Sequence, residues 1–337
     1  IKETVDACRT LKKHWATKFV NGVLRQYQRL NKDLVANLSP AQQAAHPDWL
    51  FDRISQDWPA AAADIFAANN DKPPMVLRVN RRHHTRDEYL DLLKDAGIDG
   101  LACQFAADGI RLVSPCDVQL LPGFEAGWVS VQDEAPQLAA DLLGAQPGER
   151  VLDACAAPGG KTCHIIERCP ELSDIVALDL DAARSEKVRD NLARLQLEAR
   201  IVVGDASQPK QWWDERSFDR ILIDAPCTAS GVIRRHPESK QKRQPEDIDA
   251  IANTQQRILA ALWPCLAPGG TLIYATCSIF PRENEQVIEA FLADHADATH
   301  HPITLDCGDS RSFGVQLLPI KNGHDGFYYA KLTKTAN

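Results

Sequence analysis

From Trp128 onward, short apolar runs alternate with amphipathic helical stretches. This alternation predicts a doubly wound parallel sheet, because parallel neighbours are joined by helical crossovers. Residues 313–318 and 326–331 lie on either side of Asn322-Gly323 and predict an antiparallel pair at an edge of that sheet. The predicted parallel strands are 151–154, 175–179, 200–204, 219–223 and 271–276, and the predicted helices are 162–169, 182–196, 247–262 and 282–294.

The first 127 residues follow a different pattern. Apolar positions recur every three or four residues over residues 1–37, which predicts a helical segment. An alternating strand at 75–80 and an amphipathic helix at 86–96 predict a small α/β module. The chain starts at Ile1 in the middle of a helical pattern, so we expect a longer natural N-terminus. The expected domains are residues 1–45, 46–127 and 128–334.

The composition is that of a globular protein. The 337 residues are 44% hydrophobic and 25% charged, and the net charge of −8 gives no overall sign of a nucleic-acid binder. The ten cysteines contain no C-x-x-C pair, so neither a metal site nor a disulfide framework is predicted. No uninterrupted apolar stretch is long enough for a bilayer. We therefore expect a cytoplasmic protein with no metal and no membrane partner.

A glycine-rich loop between the first predicted strand and its helix is the main candidate for a ligand site. The stretch Asp153–Thr162 reads DACAAPGGKT. Glycines let the backbone approach a ligand closely, and the helix N-terminus presents free amides. Neither the P-loop pattern nor G-x-G-x-x-G is present. Asp179 ends the next strand, where such sheets bind ribose, so we predict a cofactor that carries a nucleoside. An ordinary tight turn is the alternative.

The other predicted strands also end in polar or reactive residues. Asp205 follows the third strand, Asp224 and Cys227 follow the fourth, and Cys277 follows the fifth. Ligands of open α/β sheets bind at the carboxyl ends of the strands, so these side chains are expected at one pocket. A cysteine there could act as a thiolate nucleophile. The alternative is that both cysteines are small apolar core residues.

Basic residues form three local clusters outside the glycine-rich loop. One lies on the polar side of the helical segment 1–37, one surrounds the strand at 75–80, and one follows Cys227. Such clusters can contact nucleic-acid phosphates, although solvated surface explains many of them. The candidate nucleic-acid contacts are Arg78, Arg81, Arg234, Arg235, His236 and Lys240.

Three stretches of the chain resemble the RNA cytosine-5 methyltransferases that use S-adenosylmethionine. They are Asp153–Thr162, Asp224–Gly231, and Tyr274–Ser278 with Glu283-Asn284-Glu285 after it. Within that family the chain most resembles the bacterial small-subunit ribosomal RNA enzymes of the Fmu/Sun type, which Arg234–Pro237 and Asp325–Tyr329 also fit. The resemblance implies an α/β fold with a Rossmann-like methyltransferase domain, the small α/β module, and a truncated helical segment of a NusB-like RNA-binding domain.

The resemblance also implies a reaction and its residues. A monomer would methylate carbon 5 of a cytidine in 16S ribosomal RNA, unassembled or partly assembled, through a covalent cysteine adduct. Cys277 would be the nucleophile, Cys227 would help to release the product, and Asp224 would lie near both base and cofactor. S-adenosylmethionine would be bound by Cys155, Ala156, Ala157, Pro158, Gly159, Gly160, Lys161, Asp179, Asp205 and Asp224. Transfer RNA or another RNA as substrate, and a nonenzymatic RNA-binding module, stay open as alternatives.

Overall fold

The structure, a computed structural model, describes residues 1–30 and 38–336. The chain forms two compact units, Ile1–Asp52 and Arg53–Asn337. Within the described residues, no helix is long and apolar enough to cross a lipid bilayer. The three predicted domain limits stay predictions.

The first unit is helical, as its apolar periodicity predicts. Two helices form in place of one, because the chain turns at Lys12, whose φ is +57°. None of the residues of the second helix is buried, and Phe19 is 70% exposed, so the predicted apolar face lies open in this unit. Residues 31–37 of the predicted helical segment lie outside the described residues. The helices are α1 Lys2–Thr10, α2 Ala16–Arg29, α3 Pro40–Gln43 and α4 Asp48–Asp57, the last of which continues into the second unit.

The small module at the start of the second unit contains a four-stranded antiparallel sheet. The predicted strand at 75–80 and helix at 86–96 are confirmed as β1 and α6. The strand order is β2-β3-β1-β4, and Leu77, Tyr89 and Ile110 are fully buried in the core beneath it. The elements are α5 Ala62–Asn69, β1 Val76–Val79, α6 Arg86–Asp95, β2 Gly100–Ala102, β3 Gly109–Leu112 and β4 Val129–Val131.

The rest of the second unit is a nine-stranded sheet with helices on both faces. Its strands are β5 Arg150–Ala154, β6 Asp174–Asp179, β7 Arg200–Val203, β8 Phe218–Asp224, β9 Leu266–Thr276, β10 Ala298–His301, β11 Asp309–Ser310, β12 Val315–Leu317 and β13 Phe327–Lys334. Its helices are α7 Glu134–Leu143, α8 Gly160–Arg168, α9 Ala182–Leu195, α10 Ser239–Lys242, α11 Pro245–Leu262 and α12 Glu285–Asp294.

The order of the large sheet creates a switch point beside the glycine-rich loop. The order is β11-β12-β13-β9-β8-β5-β6-β7, and the five strands from β9 to β7 are parallel. The chain leaves β5 toward β6 on one side and returns to β8 on the other. The crevice at such a reversal is the usual ligand position in this architecture.

The predicted strands and helices of this sheet are all present, but one position in the sheet was wrong. Strands β12 and β13 pair antiparallel, as predicted. However, β13 also pairs with β9 over six residues, from Thr271 to Thr276 on β9, so it lies inside the sheet and not at its edge. Its continuous run of buried residues, Phe327–Ala330, is typical of a strand covered on both faces.

Alternate residues of the central strands enter two separate cores. Ile221 packs in one core with α11 and α12, whereas its neighbour Leu222 packs in the other with α7, α8 and α9. Because side chains alternate across a strand, burial on both faces requires the unbroken apolar run Ile221–Ile223. These two cores hold the strand ends, and thus the candidate site, in fixed positions.

Truncating a central core residue should destabilise the second unit strongly. Ile221 is fully buried, so Ile221→Ala is expected to lower the free energy of unfolding by about 2–5 kcal/mol. Val203 of the edge strand β7 is 53% exposed, and Val203→Ala should change the free energy of unfolding by less than about 0.5 kcal/mol. Urea unfolding followed by circular dichroism measures both. Equal losses would contradict the assignment of Ile221 to the core.

Candidate active site

The carboxyl ends of the parallel strands bring the predicted chemistry together. Asp179 is the last residue of β6, Asp224 is the last of β8, and Cys277 follows β9 directly. They line one cavity of about 520 Å³, within the usual size range for small-molecule sites. Of the predicted residues, the cavity is lined by Cys155, Ala157, Asp179, Asp205, Asp224, Cys227 and Cys277.

The glycine-rich loop is held in place by residues of β6 and α9. The Asp179 carboxylate accepts a hydrogen bond from the Ala157 amide at 2.9 Å, and Arg184 donates to the Ala157 carbonyl at 3.0 Å. Gly159 has a φ of +94°, and a Cβ there would lie 3.0 Å from Val188. Only glycine meets both conditions without strain. Ala156, Pro158 and Gly160 belong to the loop and the start of α8 and do not line the cavity themselves.

Asp205 presents an ionised carboxylate at the tip of β7. Burial alone would raise its pKa, but hydrogen bonds from Ser207 and Gln208 lower the pKa below its ordinary value. The Ser207 amide donates at 2.8 Å and the Gln208 side chain at 3.0 Å. The cavity therefore has an acidic wall at this end.

A lysine and a carboxylate form a close ion pair beside the cavity. Lys161 Nζ lies 2.6 Å from Asp224 Oδ2 and 5.1 Å from the centre of the Phe327 ring. Burial lowers the pKa of Lys161, but the attraction of Asp224 outweighs it and leaves the pKa raised. Lys161 is thus a fixed positive charge between the glycine-rich loop and the tip of β8.

The two predicted cysteines are neighbours in space. The Cys227 and Cys277 sulfur atoms lie 3.3 Å apart, although the residues are 50 positions apart in sequence. The pKa of Cys227 lies well above its ordinary value, because the hydrogen bond with the Cys277 sulfur favours the protonated Cys227 thiol and because burial disfavours a thiolate. Cys227 is therefore held as the protonated thiol.

A buried carboxylate connects the loops that carry the two cysteines. Glu283 accepts hydrogen bonds from the Thr228 amide at 2.7 Å, from the Thr228 hydroxyl at 2.6 Å, and from the Ser278 hydroxyl. Thr228 follows Cys227 directly, and Ser278 follows Cys277 directly. Burial raises the pKa of Glu283, against the hydrogen bonds from Ser278 and Thr228, which lower it. The spacing of the sulfur atoms depends on this carboxyl group.

Gly231 allows the same two loops to approach each other. Its amide donates to the Cys277 carbonyl at 2.9 Å, and its carbonyl accepts from the Gly326 amide at 2.8 Å. A Cβ at Gly231 would overlap the Gly326 carbonyl and lie 2.8 Å from the Cys277 oxygen. A side chain at this position would therefore displace the Cys277 loop.

Comparison with known proteins decides the family. The sequence profile described as 16S rRNA methyltransferase RsmB/F matches residues 140–333. The chain belongs to this family. A second profile, for the ferredoxin-like domain of RsmF/B-like methyltransferases, matches residues 46–119, which include most of the small module. The family predicted from the three sequence stretches is confirmed.

Relatives in this family are similar to the chain along its whole length. The chain is 54% identical to the Ribosomal RNA small subunit methyltransferase B of Pseudomonas syringae pv. tomato over 343 residues, covering 100% of this chain and 77% of that protein. It is 49% identical to the protein of the same name in Vibrio cholerae, covering 99% of this chain and 76% of that one.

Solved structures share the fold. A methyltransferase homolog protein from Pyrococcus horikoshii is 29% identical, with a TM-score of 0.76, over 88% of this chain and 100% of that one. NSun6 from the same organism, solved with SFG, is 20% identical with a TM-score of 0.77, over 86% of this chain and 99% of that one. The predicted fold class, a Rossmann-like methyltransferase domain with a small α/β module, is confirmed.

Two of the predicted RNA contacts, Arg78 and Arg234, have buried side chains. Arg78 is bound to Glu167, with side chains 0% and 2% exposed. Arg234 donates to Asp325 at 2.6 Å, and both side chains are 1% exposed. Neither guanidinium group reaches solvent, so neither is placed to meet a phosphate.

The other four predicted RNA contacts differ in exposure. Arg81 and His236 are exposed, and their nearest acidic groups lie 3.6 Å and 3.8 Å away. Arg235 is partly buried between Asp133 and Asp325. Lys240 is buried and donates to Asn70 at 2.6 Å. Of the six predicted contacts, Arg81 and His236 therefore have the side chains that are most accessible to a phosphate group.

Asp153 is a site feature to which the sequence reasoning assigned no role. It is fully buried at the end of β5, where one oxygen accepts from Thr162 and the other has no hydrogen-bond partner. Burial raises the pKa of Asp153 to about 7. The signal was available, since an acid inside an apolar strand is rarely buried without a reason. Within the described residues, no cluster of His, Cys, Asp and Glu is suited to a metal ion.

The raised pKa of Asp153 should appear in the pH dependence of stability. The unfolded carboxyl ionises near pH 4 and the folded one near pH 7, so the native protein loses stability as pH rises across this window. Asp153→Asn removes the titration. The free energy of unfolding of the variant minus that of the native protein should therefore increase by about 2–3 kcal/mol from pH 5 to pH 8, as measured by urea titration. The exposed Asp190→Asn is the control, and a difference independent of pH at Asp153 would contradict the raised pKa.

Proposed function

We propose that the chain transfers a methyl group from S-adenosylmethionine to carbon 5 of a cytidine in 16S ribosomal RNA, with Cys277 as the nucleophile and Cys227 as the group that completes the reaction. The observation that carries this proposal is the 3.3 Å distance between the two sulfur atoms at the cavity, beside Asp224. Membership of the rRNA methyltransferase family supplies the reaction class, and the cysteine pair supports carbon 5 as the acceptor.

The cavity fits the cofactor of the family. Two of its three acidic side chains, Asp179 and Asp205, come from neighbouring strand tips and retain free acceptor capacity for hydroxyl or amino groups. Asp179 would accept from the ribose hydroxyls, and Asp205 would lie near the adenine. The loop from Cys155 to Lys161 would flank the methionine part. When bound, S-adenosylmethionine supplies an electrophilic methyl group on a sulfonium.

Carbon 5 of cytosine is a weak nucleophile, and Cys277 provides the activation. Its thiolate adds to carbon 6, and the electron pair of the ring double bond moves toward carbon 5 and the conjugated nitrogen 3. The Lys161–Asp224 pair offers charge and hydrogen bonding where this electron density develops. Carbon 5 would then form a bond to the methyl carbon as the methyl–sulfur bond of the sulfonium breaks, with both electrons of that bond staying on sulfur.

Release of the product requires a base, and the Cys227 sulfur lies 3.3 Å from the sulfur of the proposed nucleophile. After methylation the adduct holds a carbon–sulfur bond at carbon 6 and a proton at carbon 5. Removal of that proton by the Cys227 thiolate restores the ring double bond and expels the Cys277 thiolate. Before this step Cys227 must lose its own proton to water, because the hydrogen bond with Cys277 and burial raise its pKa and keep the thiol protonated.

The cytidine must leave its stack to reach this pocket, and exposed basic side chains would hold the flanking RNA. Of the predicted contacts, Arg81 and His236 are exposed enough for that purpose. We assign them to the proposed RNA surface and leave Arg78 and Arg234 out of it. Arg235 and Lys240 would reach phosphate only after giving up their present partners.

Replacement of Cys277 and replacement of Cys227 should both reduce methylation, but only the second should trap a protein–RNA complex. Each variant is incubated with tritiated S-adenosylmethionine and unmodified 16S rRNA transcript, and nucleosides are then analysed by mass spectrometry. Cys277→Ala should lower the yield of 5-methylcytidine by at least about 10³-fold, because the nucleophile is gone. Cys227→Ala should lower turnover and leave a protein–RNA complex that survives a denaturing gel.

The control is Cys116→Ala, which replaces a cysteine outside the cavity and should behave as the native protein. Native-level 5-methylcytidine from Cys277→Ala would overturn the proposed nucleophile. A methylated product other than 5-methylcytidine would overturn carbon 5 as the acceptor.

A further inference from the structure

Arg78 forms a buried ion pair between the small module and the methyltransferase domain. Its Nε and Nη2 donate to the two oxygens of Glu167 at 3.0 and 2.9 Å. Its Nη1 donates to the Gly160 carbonyl at 2.8 Å and also to the Gln132 side chain. Four donor hydrogens of the guanidinium group are thus used by three residues.

The two partners of Arg78 on α8 lie on one face of that helix. Gly160 is its first residue and Glu167 lies seven positions later, which is about two turns and the same side. His164 and Arg168 continue this face and lie 3.8 and 3.2 Å from Asp108 of the small module. The module therefore contacts α8 along most of its length.

The position of α8 determines the position of the glycine-rich loop. Gly160 follows Gly159 directly, and the loop from Cys155 to Gly159 runs straight into the helix. A rotation or shift of α8 would move the loop backbone at the cavity. Arg78 itself does not line the cavity, so any influence on a ligand there must pass through Gly160 and α8.

We propose that Arg78 is a positioning residue for the cofactor: by binding Gly160 and Glu167 together, it fixes α8 and sets the glycine-rich loop in its binding geometry. The small module thereby supports the cofactor site through its strand β1, in addition to any contact with RNA. This inference rests on the proposed use of the cavity for S-adenosylmethionine.

A double substitution separates this role from general stability. Removing one member of a buried ion pair leaves an unpaired charge, whereas replacing both with apolar residues is often tolerated. Arg78→Met with Glu167→Met therefore removes the tether and keeps a packed interface. The matched control is Arg220→Met with Glu149→Met, which removes another two-point ion pair, with distances of 2.8 and 2.9 Å, away from the cavity.

Calorimetric titration of S-adenosylmethionine without RNA is the deciding measurement. The Arg78/Glu167 double variant should bind on the order of tenfold more weakly than the native protein, and the Arg220/Glu149 variant should bind within about twofold of it. In methylation assays on 16S rRNA, the KM for the cofactor should rise, whereas kcat at saturating cofactor should stay within about threefold. Arg78→Lys keeps the charge and one hydrogen bond, so its loss of affinity should be smaller.

Native affinity in the double variant, or equal loss in the control pair, would overturn the positioning role. If the double variant does not fold, native affinity in Arg78→Lys would overturn it. Failure of the native protein to bind S-adenosylmethionine would instead remove the proposed function and this inference together, so the two failures are distinguishable.

Discussion

The hydrogen bonds of the Glu283 carboxyl group are the constraint on which the candidate site depends. Thr228 and Glu283 are 55 positions apart, yet their contact fixes the loops after β8 and β9 against each other. Each loop carries its cysteine immediately before a residue that binds Glu283. The carboxyl group is fully buried, and its three donors repay part of the cost of burial, so it has one favourable position. The sulfur spacing follows from that position.

The sheet supplies the remaining geometry. Parallel strands end at the same side, and the reversal between β5 and β8 leaves a crevice there. Asp179 and the glycine-rich loop form one side of the crevice, and Asp224 with the two cysteines forms the other. Lys161 lies in the first turn of α8, directly after the loop, and its amino group reaches Asp224, so it connects the two sides. In the proposed function, the methyl donor and the target base would meet in this cavity beside Asp224.

Local patterns predicted the strands, the helices and the residues at the strand tips. These predictions succeeded because a strand that is buried on both faces requires an apolar run, and because the carboxyl ends of parallel strands lie at the same edge of the sheet. The sequence could not show that Arg78 and Arg234 are buried, since their partners Glu167 and Asp325 lie 89 and 91 positions away. The sequence pattern of an arginine cluster is the same whether the arginines bind phosphates or carboxylates that are distant in the sequence.

The predicted position of β13 in the sheet was wrong for a similar reason. An Asn-Gly turn beside apolar runs predicts a hairpin, and the pairing of β12 with β13 was right. The turn says nothing about the second neighbour of β13, which is β9. Asp153 and Glu283 belong to the stretches that carry the family resemblance. Their roles follow only from their hydrogen bonds with Thr162, Thr228 and Ser278 in the structure.

Cys277 as the nucleophile is tested most directly by tandem mass spectrometry of the complex that Cys227→Ala forms with 16S rRNA and S-adenosylmethionine. After digestion by protease and ribonuclease, we expect a peptide whose Cys277 carries a cytidine with one added methyl group. A nucleotide attached to any other residue would contradict Cys277 as the nucleophile. A nucleotide on Cys277 without the methyl group would contradict the assignment of Cys227 to the step after methylation.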